Sequence, residues 1–143
     1  MITKPHSDEE IPRGIRNNNP GNIRSNHFNA WVGQCGTDTE GMCVFKSPVE
    51  GLNALARLLR VYHDYHADDT IRMIITRFAP SNENDTKSYI EDVSKRMKKS
   101  ADVIVNFPSD LPALMQAIIY HENGQCPYDD AIIRLSVDIE YDQ

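Results

Sequence analysis

Leu111 to Tyr128, LPALMQAIIYHENGQCPY, constrains the chain most. Leu111, Met115, Ile118 and Glu122 fall at i, i+4, i+7 and i+11, so they share one face of a helix that Gly124 stops. Three of the four are core residues. The fourth is a carboxylate, and it needs either a polar partner or a task. It sits near a helix C-terminus, where the macrodipole disfavours an anion, and on an apolar face that disfavours charge again. Both effects suit a general acid. A glutamate that snorkels out, or binds the amides of the next loop, fits the same position. Helical position alone favours that structural role.

A chain of 143 residues holds one domain with one core. A net charge of -6 argues against general nucleic-acid binding, which wants a basic stripe. The basic run Lys95–Lys99 reads as a solvated helix end. No apolar run approaches a membrane span, and MITKPHSDEE has no apolar signal core. The expectation is synthesis in a cytoplasm, with any action outside it needing another route. Cys35, Cys43 and Cys126 form no CxxC, so zinc has little support. Cys35 and Cys43 can face each other across a hairpin, but free thiols are the expected state. His63 and His66 read as a helix end without a third metal ligand.

Along the chain, residues 1–12 read as a loose leader, 13–135 as one domain and 136–143 as an acidic tail. Arg13 to Arg24, RGIRNNNPGNIR, is dense in turn formers flanked by Arg13, Arg16 and Arg24. It is either a solvated surface loop or a cleft wall whose amides suit sugar hydroxyls and N-acetyl groups. Phe28–Cys35 and Met42–Phe45 read as two strands of a hairpin around residues 36–41. Trp31 in this hairpin is either core or a sugar platform, and Asp38 and Glu40 at its tip are solvated charges. Ser47-Pro48-Val49-Glu50 predicts a capped helix start, with Glu50 closing a capping box. That helix runs to about Tyr65, with Leu52, Leu55, Leu59 and Tyr62 inward. Asp69-Thr70 opens a second helix with Ile71, Ile74, Ile75 and Phe78 inward, which Pro80 ends. Thr86 opens a third carrying Tyr89 or Ile90, Val93 and Met97, and Tyr128–Leu135 forms a last short one. The fold class is mainly α, a helical bundle with one small β-hairpin.

No GxSxG, HExxH, P-loop or GxGxxG is present, so carboxylate chemistry is what remains. NPGNIR, then WVGQ, a hairpin and FKSPVEGLNAL, together with Tyr120-His121-Glu122-Asn123-Gly124, resemble phage and prophage lysozyme-like domains that cleave peptidoglycan. The likeness extends to bacterial glucosaminidases and lytic transglycosylases, whose glutamate helix ends in a similar motif. It covers roughly Arg13 to Arg134. In that family the glutamate helix comes first, whereas here it comes last, so the order resembles a circular permutation of an α+β lysozyme-like fold.

The resemblance implies that Glu122 is the general acid. Asp85-Thr86-Lys87-Ser88-Tyr89 is similar to the segment carrying a cleft tyrosine, so Tyr89 is the second site residue, with a core aromatic as its other reading. Asn19, Asn22 and Arg24 are expected to line the cleft, with Trp31, Asp38 and Tyr128 as further substrate contacts. Asp38 or Glu40 is the candidate second carboxylate. Lytic transglycosylases use a single glutamate, and the want of a clear second one leans the expectation that way. The chemistry requires no calcium, zinc or nucleotide. The implied partner is peptidoglycan, with no nucleic acid and no membrane insertion, reached through a holin, a virion or a secretion machine. Two other functions stand beside it: a non-catalytic phage component that keeps the shape and binds wall, and a wall-degrading toxin.

Overall fold

The computed structural model describes residues 11–26, 28, 30–82 and 84–142. Among them six helices and one two-stranded antiparallel sheet follow in the order α1 (Arg13–Arg16), β1 (Gln34–Thr37), β2 (Cys43–Phe45), α2 (Pro48–His66), α3 (Ile71–Phe78), α4 (Thr86–Met97), α5 (Leu111–Asn123) and α6 (Asp130–Tyr141). No helix among the described residues is long and apolar enough to cross a membrane.

Helix α5 is the centre of the core. Leu111, Leu114, Met115, Ile118 and Ile119 are fully buried in it, each contributing about 1.5–3 kcal/mol on the usual scale for apolar side chains. It is closed by Gly124 at φ 72°, a left-handed conformation suited to glycine, whose amide bonds the Tyr120 carbonyl. Helix α4 packs on one side of α5 and α6 on another, while α2 lies along α6 and α3 bridges α2 and α4. The apolar positions of α2 and α3 are as the periodicity predicts: Leu52, Leu55, Leu59, Ile71, Ile74 and Ile75 are fully buried. Thr70 caps α3 by accepting from the Met73 amide, and Asp85 caps α4 by accepting from the Ser88 amide.

Three expectations change. The hairpin is shorter than its hydrophobic run: β1 begins at Gln34, because Gly33 turns the chain at φ 83° directly before it. The capping box does not form. Ser47 holds the N-cap position without a side-chain hydrogen bond, and the Glu50 carboxylate lies under Gly33 instead, with Oε2 buried and unpartnered. Residues 136–142 are no loose tail, since α6 continues through Tyr141 and buries Ser136, Val137 and Glu140. Arg60 of α2 fixes this end by donating to the Glu140 carbonyl at 2.7 Å. Cys35 and Cys43 are free thiols, one exposed and one buried, and the register pairs Cys43 with Thr37. The expected leader falls mostly on residues 1–10, outside the described residues.

The asparagine-rich loop sits on α2 at Gly51, where a Cβ would lie 1.6 Å from the Asn18 carbonyl oxygen. Ordinarily a glycine inside a helix is worse than alanine by about 0.5–1 kcal/mol. Here the sign should reverse. Gly51→Ala is expected to destabilise by about 1–3 kcal/mol through overpacking. Urea unfolding checks this, and a raised midpoint would show that the loop does not rest on α2.

Candidate active site

Three successive asparagines bind the loop after α1 to the hairpin. Asn17 donates to Asp38 Oδ2 at 2.9 Å and Asn18 to the Phe45 carbonyl at 3.1 Å. Asn19, fully buried, donates to the carbonyls of Ile23 and Cys43, both at 3.0 Å, and accepts from the Ile23 amide. Asn18 and Asn22 have positive φ, 52° and 49°, which asparagine tolerates better than most residues. The loop is then fastened to α5. Asn123 donates to the Pro20 carbonyl at 2.9 Å and to Ile119 of its own helix at 3.1 Å. Gly14 permits this approach, since a Cβ there would lie 2.5 Å from Asn123 Oδ1.

This stitching delivers Asn22 to Glu122, a hundred residues away in sequence. Asn22 Nδ2 donates to Glu122 Oε1 at 2.8 Å. From the other side the Tyr89 hydroxyl of α4 donates to Glu122 Oε2 at 2.8 Å. Tyr89 is buried, and that burial, together with the carboxylate beside it, holds its hydroxyl far above the ordinary range, so it is a neutral donor. Glu122 itself is half-buried and opens into solvent-accessible space.

That space is a cleft of about 510 Å³. Arg13, Asn22, Arg24 and Asn84 are its polar lining, and Leu58, Tyr62, Phe78 and Pro80 give it an apolar wall. A second concavity of about 350 Å³ is lined by Asn84, Asp85, Ser88, Tyr89, His121 and Glu122. Asn84 and Glu122 line both, so the carboxylate stands where the two meet.

Of the residues proposed for the site, Glu122, Tyr89, Asn22 and Arg24 lie together. Asn19 is not at the cleft: its amide is consumed inside the loop, for the reason just given. Asp38 organises the hairpin turn, accepting from the amides of Glu40 and Met42, each at 2.9 Å. Its slight burial opposes ionisation, but the bonds from Met42, Asn17 and Glu40 and the charge of Arg13 outweigh that and hold its carboxyl below the usual range. Glu40 pairs with Arg13. Neither acid lines the cleft. Trp31 packs half-buried against the core, and its amide donates to Gln34 Oε1 at 3.1 Å. Tyr128 is also packed against the core with its hydroxyl buried and unpartnered, and burial pushes that hydroxyl up to about 12.

Sequence reasoning missed Tyr62 and Phe78 as cleft residues by counting them as core. Both sit in the last turns of their helices, where an inward face can emerge at an edge. It also missed Asn84, in a loop whose only signal is polarity.

Among the described residues no His, Cys, Asp and Glu side chains cluster as metal ligands do. The molecule is thus a mainly helical domain in which, among the described residues, the single carboxylate Glu122 lines a polar and aromatic cleft. No family model matches the chain. It is 39% identical over 127 residues to Protein P5 of Pseudoalteromonas phage PM2, an alignment covering 87% of this chain and 79% of that protein. The chain belongs to the family of this phage protein.

Asp38 gives a pH-dependent handle on the loop beneath the cleft. Its value is lowered by folding, so its stabilisation is fully present above the unfolded value of about 3.9 and is lost as pH falls through the folded value. Asp38→Asn should lower the urea midpoint at neutral pH, and the gap from wild type should close on acidification below that range. A gap that stays constant with pH would contradict the role given to this carboxylate.

Proposed function

We propose that the protein cleaves the MurNAc–GlcNAc bond of peptidoglycan glycan strands, with Glu122 as acid and then base, in a lysozyme-like and circularly permuted fold. The observation that carries this reading is the carboxylate itself. It is oriented from both sides by neutral donors and lines both concavities at their junction. A glycan strand lying across that junction places its scissile bond at Glu122. The apolar wall of Leu58, Tyr62 and Phe78 suits sugar faces and N-acetyl methyls, and Asn22, Arg24 and Asn84 suit hydroxyls and amide carbonyls.

Single-carboxylate chemistry favours the lytic transglycosylase form. Inverting and retaining hydrolases both use a second carboxylate across the bond. Here Asp38 and Glu40 are engaged in the hairpin, and Asp85, at the edge of the smaller concavity, caps α4 through Ser88. In the proposed reaction Glu122 protonates the glycosidic oxygen as the bond from C1 breaks. The resulting carboxylate takes the proton of the MurNAc C6 hydroxyl as that oxygen bonds C1. The product carries a 1,6-anhydro end, and no water is consumed. The phage relative supports a phage setting, and within this proposal the enzyme reaches a bacterial wall in a virion or at lysis.

The second reading, a non-catalytic wall-binding phage component, is favoured by one feature: both Glu122 oxygens already accept hydrogen bonds within the protein. One pair of experiments separates them. Glu122→Gln should stay folded and lose at least about 100-fold in the rate at which purified sacculi are solubilised, the range for removing a general acid. Tyr89→Phe should lose about tenfold, since one neutral hydrogen bond is worth about 0.5–1.5 kcal/mol. Mass spectrometry of the fragments should find anhydro-muramoyl ends, whereas reducing ends would assign hydrolysis. Full activity in Glu122→Gln would sink the assignment. Binding to sacculi without release of soluble fragments would favour the structural component.

A further inference from the structure

Behind the Tyr89–Glu122 hydrogen bond lies a pair of side chains that the proposed reaction does not use. His121 precedes Glu122 on α5, and its ring stacks on that of Tyr89, with centroids 3.7 Å apart and planes inclined by 30°. His121 Nδ1 lies 2.8 Å from Asp92 Oδ2. Burial opposes ionisation of Asp92, but bonds from His121 and Arg96 and their charges outweigh it, so its carboxyl lies below the usual range. An ionised carboxylate only accepts, so Nδ1 carries the proton and the ring's orientation is fixed. Arg96 also holds Asp92 with its Nε 3.1 Å from both carboxylate oxygens, and its guanidinium covers Tyr120 at 4.9 Å.

The four residues close a circuit between two helices. Tyr89 and Asp92 are three apart on α4 and so share a face. They meet His121 and Glu122, which are neighbours on α5: the phenol takes the carboxylate and the carboxylate of Asp92 takes the ring. Tyr89 also meets Phe78 in an edge-to-face contact, with centroids 6.3 Å apart and planes at 78°. The phenol is therefore clamped by two aromatic contacts. Only its hydroxyl reaches the cleft carboxylate.

We propose that Asp92 and His121 are positioning residues of this site: Asp92 fixes the His121 ring, and the ring holds the Tyr89 hydroxyl on Glu122 Oε2. In its catalytic consequence this inference rests on the glycan-cleavage reading, but its geometric content does not. Displacing an orienting group by about 1 Å can cost up to about 100-fold in turnover without touching substrate affinity. The expected effects of loosening this clamp are smaller, because the Tyr89 bond is one of two on the carboxylate.

The test uses the full chain and three variants, His121→Ala, His121→Phe and Asp92→Asn. On sacculi, His121→Ala should lower kcat about tenfold with KM within about twofold of wild type, and Asp92→Asn about threefold, the pattern of a lost transition-state contact. His121→Phe keeps an aromatic face against Tyr89 but loses the Asp92 bond, so its kcat should match that of Asp92→Asn, about threefold below wild type. In parallel, NMR of the Tyr89 ring protons and of the Glu122 carboxyl carbon reads the geometry without any substrate. Both should move in His121→Ala, and the Glu122 carbon should move less in His121→Phe and Asp92→Asn. If wild type releases no fragments but the resonances behave this way, the clamp stands and the glycan-cleavage reading fails. If wild type is active and His121→Ala changes neither kcat nor the Glu122 resonance, the clamp is overturned. Should His121→Ala fail to fold, an unmoved Glu122 carbon and full kcat in Asp92→Asn overturn it as well.

Discussion

The side-chain amide of Asn123 is the join on which the site depends. It lies one residue beyond Glu122, at the last position of α5, and donates both to its own helix and to the Pro20 carbonyl of the asparagine loop. A buried carbonyl left without its donor costs about 1–3 kcal/mol, so this contact is not readily given up. The loop in turn is stitched to the hairpin by Asn17, Asn18 and Asn19. Hairpin, loop and helix end therefore form one rigid corner. Asn22 reaches Glu122 because it is built into that corner, and no freedom remains for the loop to carry it elsewhere.

The division of labour among the asparagines explains what could and could not be read from the chain. A run of Asn-Asn-Asn-Pro-Gly-Asn announces a tight loop, and the structure has one. Which amide faces outward depends on where the hairpin lies, and nothing local encodes that. Asn19 and Asn22 look equivalent in sequence, yet one is consumed by the carbonyls of Ile23 and Cys43 and the other meets the carboxylate. Helices were more legible, because a 3.6-residue apolar period states both type and inward face at once. Their ends were less so. The acidic residues after Leu135 suggested a tail, but Val137 and Glu140 continue the inward face of α6 and Arg60 takes the carbonyl at its end. The Ser-Pro-Val-Glu signal placed the start of α2 correctly and Glu50 wrongly. The turn at Gly33 leaves room for that carboxylate, and the motif alone carries no information about the turn.

The pairing of Tyr89 with Glu122 lies between these cases. Each residue was identifiable on its own helix, one as an inward aromatic and one as a carboxylate in an apolar register. Their meeting follows from the packing of α4 against α5, which the sequence implies only through two amphipathic faces. Asp92 and His121 carry no separate signal of that kind. They become visible once Tyr89 is known to touch Glu122, because residues three apart on one helix must then face neighbours on the other.

The register conflict at Glu122 is what the fold is arranged to hold. A carboxylate near the C-terminus of a helix opposes the macrodipole at about 0.3–1 kcal/mol. Hydrogen bonds from Asn22 and Tyr89, at about 0.5–1.5 kcal/mol each, offset the dipole and keep the group in place. Other acids close to the cleft have instead been drawn into structure: Asp38 into a turn, Glu40 into an ion pair with Arg13, Asp85 into a helix cap. A carboxylate at the meeting of two concavities, with its neighbours occupied, has a restricted chemical repertoire. It can give a proton and take one back. Among the described residues no second acid lines the larger cleft, and Asp85 at the edge of the smaller one is held as a helix cap. On the reading proposed above, that restriction selects a reaction in which the substrate supplies its own nucleophile. The same asparagine loop and α4 tyrosine that secure the glutamate thereby narrow what it can do.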